Sequence, residues 1–214
     1  MDSIAAHWRG CAPEPDGGIR LLWPDSTTAL LVVPSFEGTA HPLRDAFARI
    51  NERKAQHLVL DLRGNQGGDP ALAKFLLAHL LDTTFTLVEQ GPASGRVPPA
   101  AQPFAGKVYT LMDGGCFSAT GMVLAQLQLH HRGPLIGEEA GGNRTVLSGS
   151  ARTTMLTHSR IACTISRKTW QLVQRTDDGH GVRPTDRIAP SPADRIAGRD
   201  EVLNTALRMS ATER

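Results

Sequence analysis

Two glycine-rich segments carry the residue types that could do chemistry in this chain. Residues 58–68 read LVLDLRGNQGG, an apolar run followed by a glycine loop, and residues 114–121 read GGCFSATG. The second segment places Ser118 at the start of an apolar helix, beside N–H groups that lack helical partners and at the positive end of the helix dipole. A serine hydroxyl facing a loop of free N–H groups is the arrangement used to form and stabilise an oxyanion. Together the two segments predict a nucleophilic serine.

The residues around Ser118 define the expected oxyanion site. The N–H of Ala119 would supply one donor, and the N–H of Gly67 or Gly68 a second. Glycine suits this position because the backbone must approach a substrate carbonyl without a Cβ in the way. The simpler alternative, in which Ser118 is only the N-cap of its helix, stays open at this point.

The hydrophobic pattern predicts the elements that position these loops. Asp69 and Pro70 have the residue types of an N-cap and a first helical turn. Strands alternating with helices predict an α/β fold with a mostly parallel sheet. The predicted strands are residues 29–33, 58–62, 85–88, 108–112 and 135–136, then 153–156, 161–165 and 170–173, and the predicted helices are 41–54, 71–81, 117–129 and 200–209. Residues 91–106, rich in proline and glycine, are predicted to form an exposed loop that could act as a lid.

Composition limits the class of protein. The 214 residues fit one α/β domain, and 40% hydrophobic residues can bury a sizeable core. The net charge is +2, from 23 basic and 21 acidic residues, so we expect no nucleic-acid partner and no anionic membrane. No apolar run approaches the roughly 20 residues of a membrane helix. Three cysteines without metal-ligand spacing, and an N-terminus without a signal pattern, predict a cytoplasmic protein with no metal and no cofactor.

The order of these motifs resembles the tail-specific, or C-terminal-processing, serine proteases. The carrying segments are LDLRGNQGG, then GGCFSAT, then IGE at residues 136–138, and finally GHGVRP at residues 179–184. The resemblance implies an α/β sandwich related to the ClpP and crotonase folds. It also implies a catalytic core over residues 28–214, preceded by an N-terminal extension over residues 1–27. Ser118 matches the nucleophile of the family, which implies a peptide or small acyl substrate and leaves a homo-oligomer possible.

The general base is where the chain departs from the family pattern. Many members use a lysine 25 residues after the serine, but the matching position holds Asn143, and Leu147 replaces the lysine's glutamine partner. Arg144 cannot substitute, because a guanidinium stays protonated. Asn143 and Arg144 are therefore expected to contact substrate instead.

A histidine is the expected base. The tricorn-like branch of the family pairs its serine with a histidine and an acidic residue, and Asp178 occupies the acidic position. His7, His41 and His180 are the three candidates for the base.

Two other functions remain open on the sequence alone. The chain could keep the fold and the oxyanion loops but have lost proteolysis, and then serve as a binding protein or act as an enzyme on a small peptidyl or acyl metabolite. It could also be a crotonase-like acyl-CoA enzyme that recruits Glu138 or Glu139. A serine at a helix start argues against the second, since crotonases need no nucleophile there. Cys116, two residues before Ser118, is expected to be a buried and inert thiol.

Overall fold

The structure, a computed structural model, describes residues 18–89, 94–172 and 177–212. At its centre lies a six-stranded sheet. From one edge to the other its strands are β1 (Arg20–Leu22), β2 (Thr28–Val32), β3 (His57–Asp61), β6 (Lys107–Met112), β7 (Leu135–Gly137) and β12 (Asp186–Arg187). Every pairing from β2 to β12 is parallel, and β1 alone pairs antiparallel, with β2. The predicted α/β fold with a mostly parallel sheet and flanking helices is confirmed.

Helices cover both faces of this sheet. One face packs against α1 (His41–Glu52), α2 (Pro70–Leu80) and α3 (Ala119–Leu129) in the larger hydrophobic core. The other face packs against α5 (Glu201–Thr212) in a smaller core. A fifth helix, α4 (Pro192–Ile196), is a single short turn before α5. Because β2 and β3 are buried along their whole length, they consist of near-continuous apolar runs, as strands covered on both faces do.

Three two-stranded sheets lie outside the central sheet. They pair β4 (Phe85–Thr86) with β5 (Arg96–Val97), β8 (Val146–Gly149) with β11 (Lys168–Gln171), and β9 (Arg152–Met155) with β10 (Ala162–Ile165). The β5 strand lies inside the segment predicted as an exposed loop, and Phe104 of that segment is 4% exposed. Arg132 donates to the carbonyls of Phe104 and Gly106. Most residues of 94–106 are exposed, as predicted, but Phe104 and the bonds from Arg132 fix the end of the segment to the body. Residues 91–93 lie outside the described ranges.

Local capping explains where the central helices begin. Asp69 Oδ1 accepts from the N–H of Ala71 at 2.8 Å, and Pro70 fills the first turn of α2, as predicted. Asp200 Oδ1 accepts from the N–H of Leu203 at 3.0 Å and caps α5. The start of α3 is different, since the Ser118 side chain makes no capping hydrogen bond.

An ion-pair network ties the end of β3 to α5. Arg63 contacts Asp61 at 2.7 Å and Asp200 at 2.8 Å, so one guanidinium bridges the end of β3 and the start of α5. Burial acts to lower the pKa of Arg63, but its bonds to Asp61 and Asp200 outweigh that effect and raise it. Asp61 is 3% exposed, so its charge depends on this partner.

We expect Arg63→Ala to lower the free energy of unfolding by about 3–5 kcal/mol, because it leaves the buried Asp61 carboxylate without a counter-charge. The matched control is Arg199→Ala. That change removes a surface ion pair with Asp194, in which Arg199 is 53% exposed, and should cost under about 1 kcal/mol. Urea unfolding of both variants measures the difference. Equal losses would show that the Arg63 network contributes no more than a surface pair.

Candidate active site

Ser118 lies at a sharp turn between β6 and α3. Its backbone has φ +50° and ψ −120°, a conformation that residues with a side chain rarely adopt, and Ala119 is the first residue of the helix. The side chain is exposed and accepts none of the helix's first N–H groups. A strained turn that lifts a serine hydroxyl to the surface at a helix start is how nucleophilic serines are presented in α/β enzymes. The N-cap alternative therefore loses its main support, the capping hydrogen bond.

The loop after β3 meets Ser118 directly. A Cβ added to Gly67 would lie 2.7 Å from the Cβ of Ser118 and 2.9 Å from the Ala119 nitrogen. Gly67 has φ +103°, so this position requires glycine for both its backbone conformation and its space. The two glycine-rich segments found in the sequence are thus in contact.

The N–H groups of this loop are not equally available. The Gly67 N–H donates to Asn65 Oδ1 at 2.8 Å. Within the described residues, no acceptor receives the N–H of Gly68 or of Ala119. Of the two glycines expected to supply an oxyanion donor, Gly68 is therefore the one with a free N–H, because Asn65 occupies that of Gly67.

Two polar side chains lock the loops together. Asn65 is fully buried, and its side-chain Nδ2 donates to the Val33 carbonyl. The backbone carbonyl of Asn65 accepts from the Phe117 N–H at 3.0 Å. Asp113 Oδ1 accepts from the N–H groups of Gly64 and Gly115 at 2.8 and 2.9 Å. These bonds join the ends of β2, β3 and β6, and so fix the residues that flank Ser118.

Cys116 lies beneath the site as a buried thiol. Its Sγ donates to the Leu62 carbonyl at 3.2 Å, and burial raises the pKa of the thiol to about 12. A thiol that stays protonated is a poor nucleophile. This agrees with the inert role expected from the sequence.

Asn143 and Arg144 join the loop after β7 to the C-terminal motif. Asn143 Nδ2 donates to Asp177 at 2.7 Å, while its Oδ1 accepts from Thr145 through both N–H and hydroxyl at 2.8 Å. Arg144 donates to Asp178 Oδ2 at 2.8 Å. These bonds give both side chains a role in building the loop, and contact with substrate stays a prediction.

His180 is paired with a carboxylate. Its Nδ1 lies 2.9 Å from Glu139 Oε1, which also accepts from the Gly181 N–H at 3.0 Å. The hydrogen bond from His180 is the main cause that holds the pKa of Glu139 below its ordinary value. Because an ionised carboxylate can only accept, Nδ1 carries a proton, and in the neutral ring Nε2 then holds the lone pair. No described residue donates to or accepts from that Nε2.

Gly142 lies between the Ser118 turn and Gly181, the residue after His180. A Cβ on Gly181 would lie 2.9 Å from the carbonyl oxygen of Gly142, and a Cβ on Gly142 would lie 3.6 Å from the Ser118 nitrogen. Glu139 is the residue that sequence reasoning missed in this role, since it was considered only for an acyl-CoA enzyme. The IGE motif ends next to Glu139, but nothing in the sequence indicates that His180 is the partner of Glu139.

The other predicted site residues are placed differently. Asp178 accepts from Arg144 and from the backbone N–H of His180 at 3.2 Å, and its hydrogen bonds do not include the His180 ring. His41 is the exposed first residue of α1, where its Nδ1 lies 3.3 Å from Arg44 Nη1. His7 lies outside the described residues.

Gly67 offers a direct test of the loop contact. We expect Gly67→Ala to slow covalent labelling of Ser118 by about 10²-fold, because the new Cβ would displace the serine, and misplacement by about 1 Å can cost that much. Gly38→Ala is the control, because Gly38 also has positive φ, +84°, but its added Cβ meets no atom within 4 Å. Both variants place alanine at positive φ. Equal labelling rates in the two would show that the contact with Ser118 does not control the labelling rate.

The described residues contain neither a metal-ligand cluster nor a membrane-spanning helix. Searching these residues gives no group of three or more His, Cys, Asp or Glu residues arranged to hold a metal ion. None of their helices has the length and apolar character needed to cross a membrane.

Known proteins share this fold and these motifs. A tail-specific protease of Haemophilus influenzae is 29% identical over 125 residues, which cover 55% of this chain and 18% of that protein. The fold is similar to the photosystem II D1 C-terminal processing protease, with TM-score 0.60 and 20% identity over 82% of this chain and 47% of the other. It is also similar to the tricorn protease, with TM-score 0.57 and 17% identity over 87% of this chain and 18% of the other. The chain spans less than half the length of each.

The match to a family model is broader. Residues 27–188, which contain both glycine-rich segments, the Ser118 turn and the C-terminal motif, match the model of peptidase family S41. This agrees with the resemblance to tail-specific proteases seen in the sequence. The chain therefore belongs to peptidase family S41.

Proposed function

We propose that this chain is a serine hydrolase that cleaves peptide bonds through an acyl-enzyme formed on Ser118. The observation that carries the proposal is the Ser118 turn: an exposed hydroxyl at positive φ, at the start of α3 and against Gly67. In this mechanism Ser118 Oγ attacks the scissile carbonyl carbon. The N–H groups of Ala119 and Gly68 then stabilise the negative charge on the carbonyl oxygen.

His180 is the base that we propose for the reaction. With Nδ1–H bound to Glu139, its Nε2 can take the proton from Ser118 Oγ and later give it to the leaving amine. A water molecule, deprotonated in the same way, then hydrolyses the ester and restores Ser118. Glu139 replaces Asp178 as the carboxylate that orients the ring, because Asp178 binds Arg144.

A serine-directed fluorophosphonate probe tests the proposal. We expect one adduct per chain, which mass spectrometry should map to Ser118. Ser150→Ala is the matched control variant, because Ser150 is also exposed at positive φ, +51°, but lies away from the glycine loop. Labelling should survive that change. Absence of any adduct across the pH range would favour a non-hydrolytic binding protein.

A further inference from the structure

A two-stranded arm, residues 146–171, extends from the edge of the candidate site. It contains β8 and β11 at its base and β9 and β10 at its tip. The chain enters the arm directly after Asn143, which bridges to Gly181, and after Gly142, which lies against Ser118. The base of the arm therefore follows directly on residues that lie against the Ser118 turn.

The base of the arm is anchored to the body. Leu147 and Leu172, on either side of it, are 8% and 1% exposed and belong to the larger core. The Leu172 N–H donates to the Thr145 carbonyl, and the Glu89 N–H donates to the Gln171 carbonyl, both at 2.8 Å. Trp170 packs over Gly149, where an added Cβ would lie 2.3 Å from its ring. Core packing and backbone hydrogen bonds thus hold the base of the arm to the body of the protein.

The tip of the arm is exposed and apolar. Four of the seven large hydrophobic side chains that are exposed in the described residues lie here, each 45–60% exposed: Met155, Leu156, Ile161 and Ile165. The register pairs Arg152 with Ile165 and Thr154 with Cys163. Leu156 and Ile161 continue this alternation, so the same face carries Leu156, Ile161, Cys163 and Ile165 and, at its end, Arg152. An apolar surface of this kind indicates a binding site.

The charge of the arm has one sign. Residues 146–171 contain Arg152, Arg160, Arg167 and Lys168 and no aspartate or glutamate, in a chain whose acidic and basic residues otherwise nearly balance. Its hydrogen-bonding edges are also open, since within the described residues β9 pairs only with β10. An open edge binds an extended chain through backbone hydrogen bonds, while its side chains select the sequence.

We propose that the arm is the docking surface for the substrate chain, and that it selects unfolded segments in which apolar and acidic residues share one face of an extended strand; this rests on the function proposed above. The added strand buries its apolar residues against Leu156, Ile161 and Ile165 and places a carboxylate beside Arg152 on the same face. From Thr145 to Leu156 the arm spans about 35 Å at ~3.3 Å per residue, enough for a docked segment of about ten residues.

Binding can be measured without turnover in the Ser118→Ala variant. The probe is a fluorescent peptide of about twelve residues in which every second residue is in turn valine or glutamate, with serine between them, and its partner carries lysine in place of glutamate. We expect the glutamate peptide to bind at least about 10-fold more tightly, with an affinity that falls as salt rises. In fluorescence anisotropy, R152E/R160E and I161S/I165S should each weaken binding about 10-fold or more. The control R49E/K54E makes the same charge change on exposed residues of α1 and the turn after it, and should alter binding less than 2-fold.

Other occupants of the arm give distinct results. If the arm variants bind the glutamate peptide as well as the parent does, the proposal fails. It also fails if sedimentation velocity shows a dimer that I161S/I165S dissolves, or if the chain binds anionic phosphatidylserine vesicles in a way that R152E/R160E abolishes. Arm-dependent peptide binding by a protein whose wild type hydrolyses nothing would overturn the hydrolase and leave the peptide-docking surface standing.

Discussion

Ser118→Ala is expected to lower peptide hydrolysis by about 10⁴-fold or more, since removing a covalent nucleophile leaves only the contribution of the oxyanion donors and of substrate binding. The fold should not change, because the exposed hydroxyl caps no helix and fills no part of the core. Alanine at φ +50° is strained to the same degree as serine, so we expect a melting temperature within a few degrees of wild type. Rates on an unfolded protein substrate, with the melting curve beside them, measure both effects.

Ser26→Ala is the control in the same assay. Ser26 is also exposed, but it lies in the turn before β2, at the opposite end of the strand from the glycine-rich loops. Its replacement should leave the rate within about 2-fold of wild type. Hydrolysis that persists in Ser118→Ala would move the reaction to another residue and remove the basis of the proposed mechanism.

Much of the fold could be predicted from the sequence because its signals are local. The middle of a strand such as β3 is an apolar run because both of its faces are buried. The start of α2 is indicated by Asp69 and Pro70. Short edge strands such as β1 and β12 were not predicted, because two or three residues carry no periodicity. Their pairing depends on the neighbouring strand rather than on their own composition.

The candidate site depends on contacts that local sequence patterns do not predict. The sequence predicts Ser118 at a helix start and a glycine loop nearby, but not which glycine keeps its N–H free. That depends on Asn65, which takes the N–H of Gly67. The sequence also suggests Asp178 as the partner of a histidine, by motif position. The structure instead brings together Glu139 and His180, 41 residues apart, because β7 and the C-terminal segment lie side by side. A contact between residues so far apart in the chain produces no recognisable spacing in the sequence.

His180→Gln is the second change with a large expected effect. Loss of the base should lower kcat by about 10²–10⁴-fold while the Ser118 hydroxyl stays in place. In wild type the rate should rise with pH to a plateau, because the base must be neutral to accept a proton. The hydrogen bond from His180 holds the pKa of Glu139 below its ordinary value, so this carboxylate is ionised at neutral pH and can hold the ring.

Glu139→Gln, Asp178→Asn and His41→Gln are the comparisons that identify the base. Glu139→Gln should lower the plateau rate strongly, because the amide no longer enforces the tautomer with Nε2 free. Asp178→Asn should have a smaller effect, through its bond to Arg144, and His41→Gln should have almost none, because His41 lies against Arg44 without a carboxylate partner. A fully active His180→Gln, with activity lost instead in His41→Gln or His7→Gln, would transfer the role of base to that histidine. The Glu139–His180 pair would then serve only to hold the loop after β7 against the C-terminal motif.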